Sequence, residues 1–225
     1  TIEECELLLA AVEASDASYM LAENALYWGF VDTARQMHGA GEFGRLFYAE
    51  AEMMQDMRGI LRNTSGEPTW RMERTDPITY CTHSLGPLLS ITGQYPTEVV
   101  CMGTGGSFGD PEIHDVQTAL IRLTDGALVR FTVSLANAHW HGHRFALFGT
   151  EASLDTGWVW EDQPRLWSER IPNLTGPLTL PLGTEVPNAP AAAKKTGVAT
   201  MNWMMMRDFL DAIREGRKPP VDVYD

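Results

Sequence analysis

The run from Ile78 to Leu89 reads ITYCTHSLGPLL and sets a tyrosine and a histidine into an otherwise apolar segment. An imidazole exchanges a proton near neutral pH and a phenol donates and accepts hydrogen bonds, so the pair suits proton transfer on a hydroxylated substrate. At helical spacing Tyr80, His83 and Pro87 fall at i, i+3 and i+7 on one stripe, with Leu85, Leu88, Leu89 and Thr92 away from it. Two readings are open: a helix whose polar front lines a site, or a core helix whose histidine is tied to a backbone carbonyl. Pro87 cannot donate to the carbonyl of His83, which leaves that oxygen for another partner, and Gly86 lets backbone or ligand come close.

Two other groupings invite chemistry. His139, His141 and His143 in HWHGH stand at i, i+2 and i+4, so a strand would turn all three to one face at a spacing that suits a metal ion. No carboxylate or cysteine close in sequence completes the set, and a hydrogen-bonding or subunit-facing stripe is preferred; no metal is assigned. The glycines of VVCMGTGGSFGDPE follow a strand-like lead, yet a dinucleotide-binding turn needs a helix opening directly on them. Asp110-Pro111 follows instead, and Phe108 takes the third glycine position of GxGxxG, so the segment reads as a turn between strands.

The elements that must position these side chains are of both kinds. Residues 18–24 read as a short buried strand and 29–38 as a helix ended by the glycines of GAGEFG. From Arg45 to Met53, Phe47, Ala49, Ala51 and Met53 alternate with Tyr48, Glu50 and Glu52, the pattern of a half-solvated strand. Residues 118–123 and 127–133 alternate likewise, and Asp125-Gly126 between them supplies a tight hairpin turn. His143, Phe145 and Leu147 start another strand that ends at Gly149. Met201, Met205, Phe209, Ala212 and Ile213 mark a last helix, closed by Gly216 and followed by Pro219-Pro220. Residues 170–197, rich in Pro, Gly, Ala and Thr, read as a long irregular connection. The expected fold is α+β: a large, mostly antiparallel open sheet with helices 29–38, 78–92 and 201–215 on one face.

The 225 residues are 44% hydrophobic and 21% charged, a globular composition. A formal charge of −13 disfavours nucleic acid and anionic membranes, which draw on clustered Lys and Arg. Three cysteines without a CxxC pair suggest reduced thiols and a cytoplasmic setting, and the longest apolar run near the start is too short for a membrane span. Thr1-Ile-Glu-Glu reads as a capping box, so the chain starts at a helix N-cap, as if cut from a longer one.

The succession YMLAENALYW, GEFGRLFYAEAEMMQDMR, TWR, YCTHSLGPLLSITG, EIHDVQTALIRLTDGALVRF, FGTEAS and MMMRDFLDAIREGRKPPVDVYD resembles the Gfo/Idh/MocA oxidoreductases, most closely the branch with the NAD-dependent glycoside hydrolases. The resemblance implies a C-terminal part of such a protein. Residues 1–27 would be the last helix and strand of a dinucleotide-binding domain, and 28–225 a substrate-binding and oligomerisation domain truncated at its C-terminus. It further implies a nicotinamide cofactor, NAD or NADP, met by Glu23 and Asn24, and a sugar or polyol substrate bound by Arg71, Tyr80 and His83. Tyr80 and His83 would be catalytic, and the open sheet face would join copies of the chain into a homo-oligomer. The implied reaction is hydride transfer, or in the hydrolase branch oxidation, elimination, water addition and reduction; a substrate-binding or oligomerisation module without catalysis is the alternative. An ungapped match puts Val198 and Asn202 where the family carries a His and an Asp. The chain alone is expected to be inactive and to bind NAD weakly or not at all.

Overall fold

The computed structural model describes residues 1–70, 76–108, 114–160, 162–187 and 189–224. Arg71 lies outside the described residues, and so does the end of the Gly-rich segment, 109–113.

Among the described residues eight strands form one sheet in the order β2-β3-β4-β1-β5-β6-β7-β8. In chain order they are β1 (Leu46–Met54), β2 (Pro96–Gly103), β3 (Val116–Leu123), β4 (Leu128–Ser134), β5 (Gly142–Gly149), β6 (Ala152–Trp158), β7 (Arg165–Ser168) and β8 (Leu178–Thr179). Every pair is antiparallel except β1 with β4, which runs parallel. The hairpin expected at Asp125-Gly126 is present: β3 pairs with β4, Gly126 takes φ +86°, and the Asp125 carboxylate accepts from the Ala127 amide. A positive φ at that point is why glycine follows the aspartate.

Among the described residues six helices accompany the sheet: α1 (Ile2–Glu13), α2 (Gly29–Gly39), α3 (Arg58–Leu61), α4 (Leu85–Thr92), α5 (Ala191–Lys195) and α6 (Thr200–Glu215). α2 and α4 lie together over one sheet face, and the core fills the space between them and the strands. Phe30, Val31 and Ala34 of α2 and Leu88 and Ile91 of α4 meet Ala51, Met53, Phe131, Val133, Phe145 and Leu147. Two-residue periodicity then sends Tyr48, Glu50, Glu52, Arg130, Arg144 and Asp155 to the opposite face, where they join in one ionic network. α6 packs on the 24–27 turn and on α5. The expected capping box at Thr1 and the left-handed cap at Gly216 both form.

Four expectations are corrected. Residues 18–24 form no strand; Leu21 donates to the Val221 carbonyl, and a 3-10 turn, Asn24–Tyr27, follows. The apolar residues here have no neighbouring strand to satisfy a ladder. The helix expected over 78–92 begins only at Leu85, preceded by a 3-10 turn, Pro77–Thr79, and a turn through 81–84. Pro87 sits in the first helical turn, where a missing N–H costs nothing; a helix reaching back to 78 would drive its ring against the carbonyl of His83. Phe47 points outward because the β1–β5 register shifts between Leu46 and Tyr48, leaving Leu46 buried. The 170–197 connection carries β8 and α5 within otherwise irregular chain.

Among the described residues no helix is long and apolar enough to cross a membrane. All three cysteines are free thiols.

Candidate functional site

Although they share no helix, Tyr80 and His83 stay together, with ring centroids 5.3 Å apart. The turn that carries them is pinned at both ends. The Ile78 amide donates to the Gln117 side chain on β3, and the Ser84 and Leu85 amides both donate to the Cys81 carbonyl.

His83 Nδ1 lies 2.8 Å from Glu23 Oε2, across 60 residues of sequence. The Glu23 carboxylate is buried, 4% exposed, and its other oxygen accepts the Ala25 amide at 2.9 Å. Burial pushes this carboxyl up, but hydrogen bonds from His83 and Thr82, the His83 charge and the Ala25 amide outweigh it and hold the group below the ordinary carboxylate value. A carboxylate accepts, so Nδ1 carries the hydrogen and Nε2 is the basic nitrogen of His83. His83 itself is half-buried, 31% exposed at the side chain.

Behind His83 lies a second imidazole. His143 is buried at the start of β5, its Nδ1 3.3 Å from Ser84 Oγ and its ring 6.0 Å from that of His83 and 5.1 Å from that of Trp28. Burial, with the nearby His83 and His141 charges, pushes His143 down to about 3, so it is neutral and structural. Of the HWHGH histidines only His143 is on a strand, since β5 starts at Gly142; His139 and His141 precede it in the loop. Hence the three do not share a face, and among the described residues no group of three or more His, Cys, Asp or Glu is placed to hold a metal ion. Sequence reasoning missed this inward role, although the alternation His143, Phe145, Leu147 put the ring on the core side.

Glu23 and Asn24, expected to meet a cofactor, are turned to protein partners. Both Glu23 oxygens are engaged, and Asn24 Nδ2 donates to Asn202 Oδ1 at 2.8 Å. That bond ties the 24–27 turn to α6 at the position where the family resemblance implies an aspartate. A cleft of about 500 Å³, lined mainly by apolar residues such as Leu26, Leu85, Leu89 and Val221, opens beside Glu23 and Thr82. Of the described part of the Gly-rich segment, Gly103 ends β2, and Gly105 turns at φ +73° and donates to His114. The described residues show no Gly-rich turn opening directly on a helix, the feature that holds a dinucleotide pyrophosphate.

Residues 31–155, more than half the chain, match the profile of the GFO/IDH/MocA C-terminal domain. The chain belongs to the Gfo/Idh/MocA family. A glycosyl hydrolase family 109 protein of Solibacter usitatus (strain Ellin6076) is 25% identical over 258 residues, covering 100% of this chain and 57% of that relative. An alpha-N-acetylgalactosaminidase of Tannerella forsythia is 24% identical over 290 residues, with the same 100% and 57% coverage. The chain thus spans little more than half the length of these curated relatives. Among solved structures, an oxidoreductase domain protein from Kribbella flavida superposes with a TM-score of 0.80 at 20% identity, over 100% of this chain and 65% of that one. A levoglucosan dehydrogenase in complex with NADH and levoglucosan gives 0.77 at 19% identity, over 99% and 64%. These likenesses show the Gfo/Idh/MocA C-terminal fold. In that frame the sheet's helix-covered side carries Tyr80, His83 and His143 at one corner.

Proposed function

We propose that this chain is the substrate-handling part of a nicotinamide-dependent Gfo/Idh/MocA enzyme acting on a sugar or polyol, with His83 as the group that exchanges the proton of a substrate hydroxyl. The observation that carries it is the Glu23–His83 pair. A buried carboxylate on Nδ1 fixes the tautomer, orients the ring and favours the imidazolium when Nε2 takes a proton, which is what a general base needs. Tyr80, beside it, supplies a phenol for a second hydroxyl, and Arg71 is retained as a substrate-binding candidate from the sequence. Glu23 is reassigned from a cofactor contact to a positioning residue. Asn24 remains the candidate on the cofactor side.

Nicotinamide, when bound by the remainder of the protein, supplies the hydride acceptor. The chain's own residues bind the sugar and move its proton. A second reading, glycoside hydrolysis initiated by the same oxidation, is favoured by the family 109 relatives that span the whole chain. The open sheet face is proposed to join two copies of the chain.

The test is turnover by the complete protein on a p-nitrophenyl N-acetyl-α-galactosaminide and on levoglucosan with NAD. His83→Ala should lose on the order of 10²-fold in kcat with the fold intact. A loss of only a few-fold rejects the proton-transfer role. Release of p-nitrophenol without net NADH selects hydrolysis, whereas stoichiometric NADH selects the dehydrogenase.

A further inference from the structure

Two aromatic segments untouched by the proton-transfer argument meet at the His83 corner: HWHGH before β5 and the residues following β6. Trp160 stands on the turn that leaves β6, with φ +82°, one of two non-glycine residues with positive φ among those described. A tryptophan in that region is strained and persists only where its surroundings fix it. They do so here. Asp162 Oδ2 accepts the Trp158 amide at 2.9 Å, the Asp162 amide returns a bond to the Trp158 carbonyl at 2.8 Å, and the Val159 amide donates to the His143 carbonyl at 2.7 Å.

The ring so held is braced on several sides. His141 stacks on it, 5.1 Å between centroids and 26° between planes, while Trp28 and His143 meet it near-perpendicularly at 5.8 and 5.5 Å. Trp160 nevertheless remains 50% exposed. His143, which touches this ring, also lies 6.0 Å from His83, so the open aromatic surface and the proposed base share one corner. The His83 charge reaches His141 as well, adding to burial in lowering that imidazole.

We propose that Trp160, backed by His141, is the stacking wall of the substrate site, taking the apolar C–H face of a pyranose ring while its hydroxyls turn toward His83 and Tyr80. A pyranose carries several C–H groups on one face, and a rigid indole offers large contact area at little conformational cost. A half-exposed indole in a strained backbone is otherwise a liability for folding, and ligand contact gives it a use. The inference rests on the His83 reading for the orientation of the sugar, and the experiment separates the two.

In the complete protein, binding of N-acetylgalactosamine and of levoglucosan is followed by saturation-transfer NMR and by tryptophan fluorescence for wild type, Trp160→Gly, Trp160→Phe and His83→Gln. Glycine suits the local φ and phenylalanine keeps an aromatic face. Trp160→Gly should weaken the sugar that binds about five- to ten-fold, and Trp160→Phe should stay within about two-fold. Saturation should be strongest on the C–H protons of one sugar face. An affinity for Trp160→Gly within two-fold of wild type, or no saturable binding of either sugar by the wild type, overturns the wall. If His83→Gln leaves turnover unchanged while Trp160→Gly weakens binding, the proton-transfer reading falls and the wall stands.

Discussion

A histidine held at Nδ1 by a buried carboxylate offers a substrate a defined nitrogen, and Glu23 is the residue on which that definition depends. Glu23→Gln keeps the shape but not the charge: kcat should fall about ten-fold or more, with the acid limb of its pH profile displaced and KM nearly unchanged. A role confined to packing would leave the pH profile where it is. His143 makes a separate prediction. Its folded value, about 3, lies below its ordinary 6.5, so the unfolded chain binds more protons between them and stability falls as pH drops through that window, by a few kcal/mol at most. His143→Phe should flatten the dependence of urea-denaturation midpoints between pH 6.5 and 4. At this scale the sequence singles out His83, Tyr80 and Glu23 as candidates but does not show that Glu23 and His83 touch, because a contact across 60 residues has no local signal.

Local elements were legible where a short-range rule governed them. The 125–126 turn, α2 and the capped α6 each follow from residues within one or two turns of chain. Gly126→Val should destabilise the hairpin by about 1–2 kcal/mol, since a β-branched residue resists φ +86°; a change in melting temperature under 1 °C would contradict that. The start of α4 departs from the apolar spacing, which continues back through Pro87, because the proline ring sets the boundary. Residues 18–24 had strand composition but no ladder partner, and composition alone does not supply one.

The sheet as a whole owes its two-faced character to alternation, and the polar face is an ion network. Arg144 bridges Glu50, Glu52 and Asp155, and Arg130 bridges Glu50 and Glu52. Despite burial, hydrogen bonds from Arg130, Arg144 and Tyr48 bring Glu50 down to about 2. Its stabilising share is complete above the ordinary carboxylate value near 4.5 and is lost as pH falls toward 2. Arg144→Ala leaves three carboxylates short of a partner and should cost about 2–3 kcal/mol in urea unfolding at pH 7, less at pH 3. If this face joins two copies as proposed, sedimentation should also show Arg144→Ala shifted toward monomer. From Tyr48 onward alternation foretold which residues of β1 face outward; which Arg meets which Glu follows from strand order, and that order is nonlocal.

The one parallel pairing has a kinetic meaning. β4 and β5 follow one another in the chain after a short link, yet they do not pair, because β1, made some 70 residues earlier, lies between them. Residues 96–134 and 142–179 can each zip locally into antiparallel ribbons, but the two ribbons become one sheet only when 46–54 threads the gap and docks on both. That insertion closes a long loop, and until it happens two central strand edges, rich in Val, Phe and Leu, are expected to stand uncovered. A proline at Ala51, which sits opposite both Phe131 and Phe145, would stall the chain there, and its fate would be aggregation from half-sheets rather than a weakened native state.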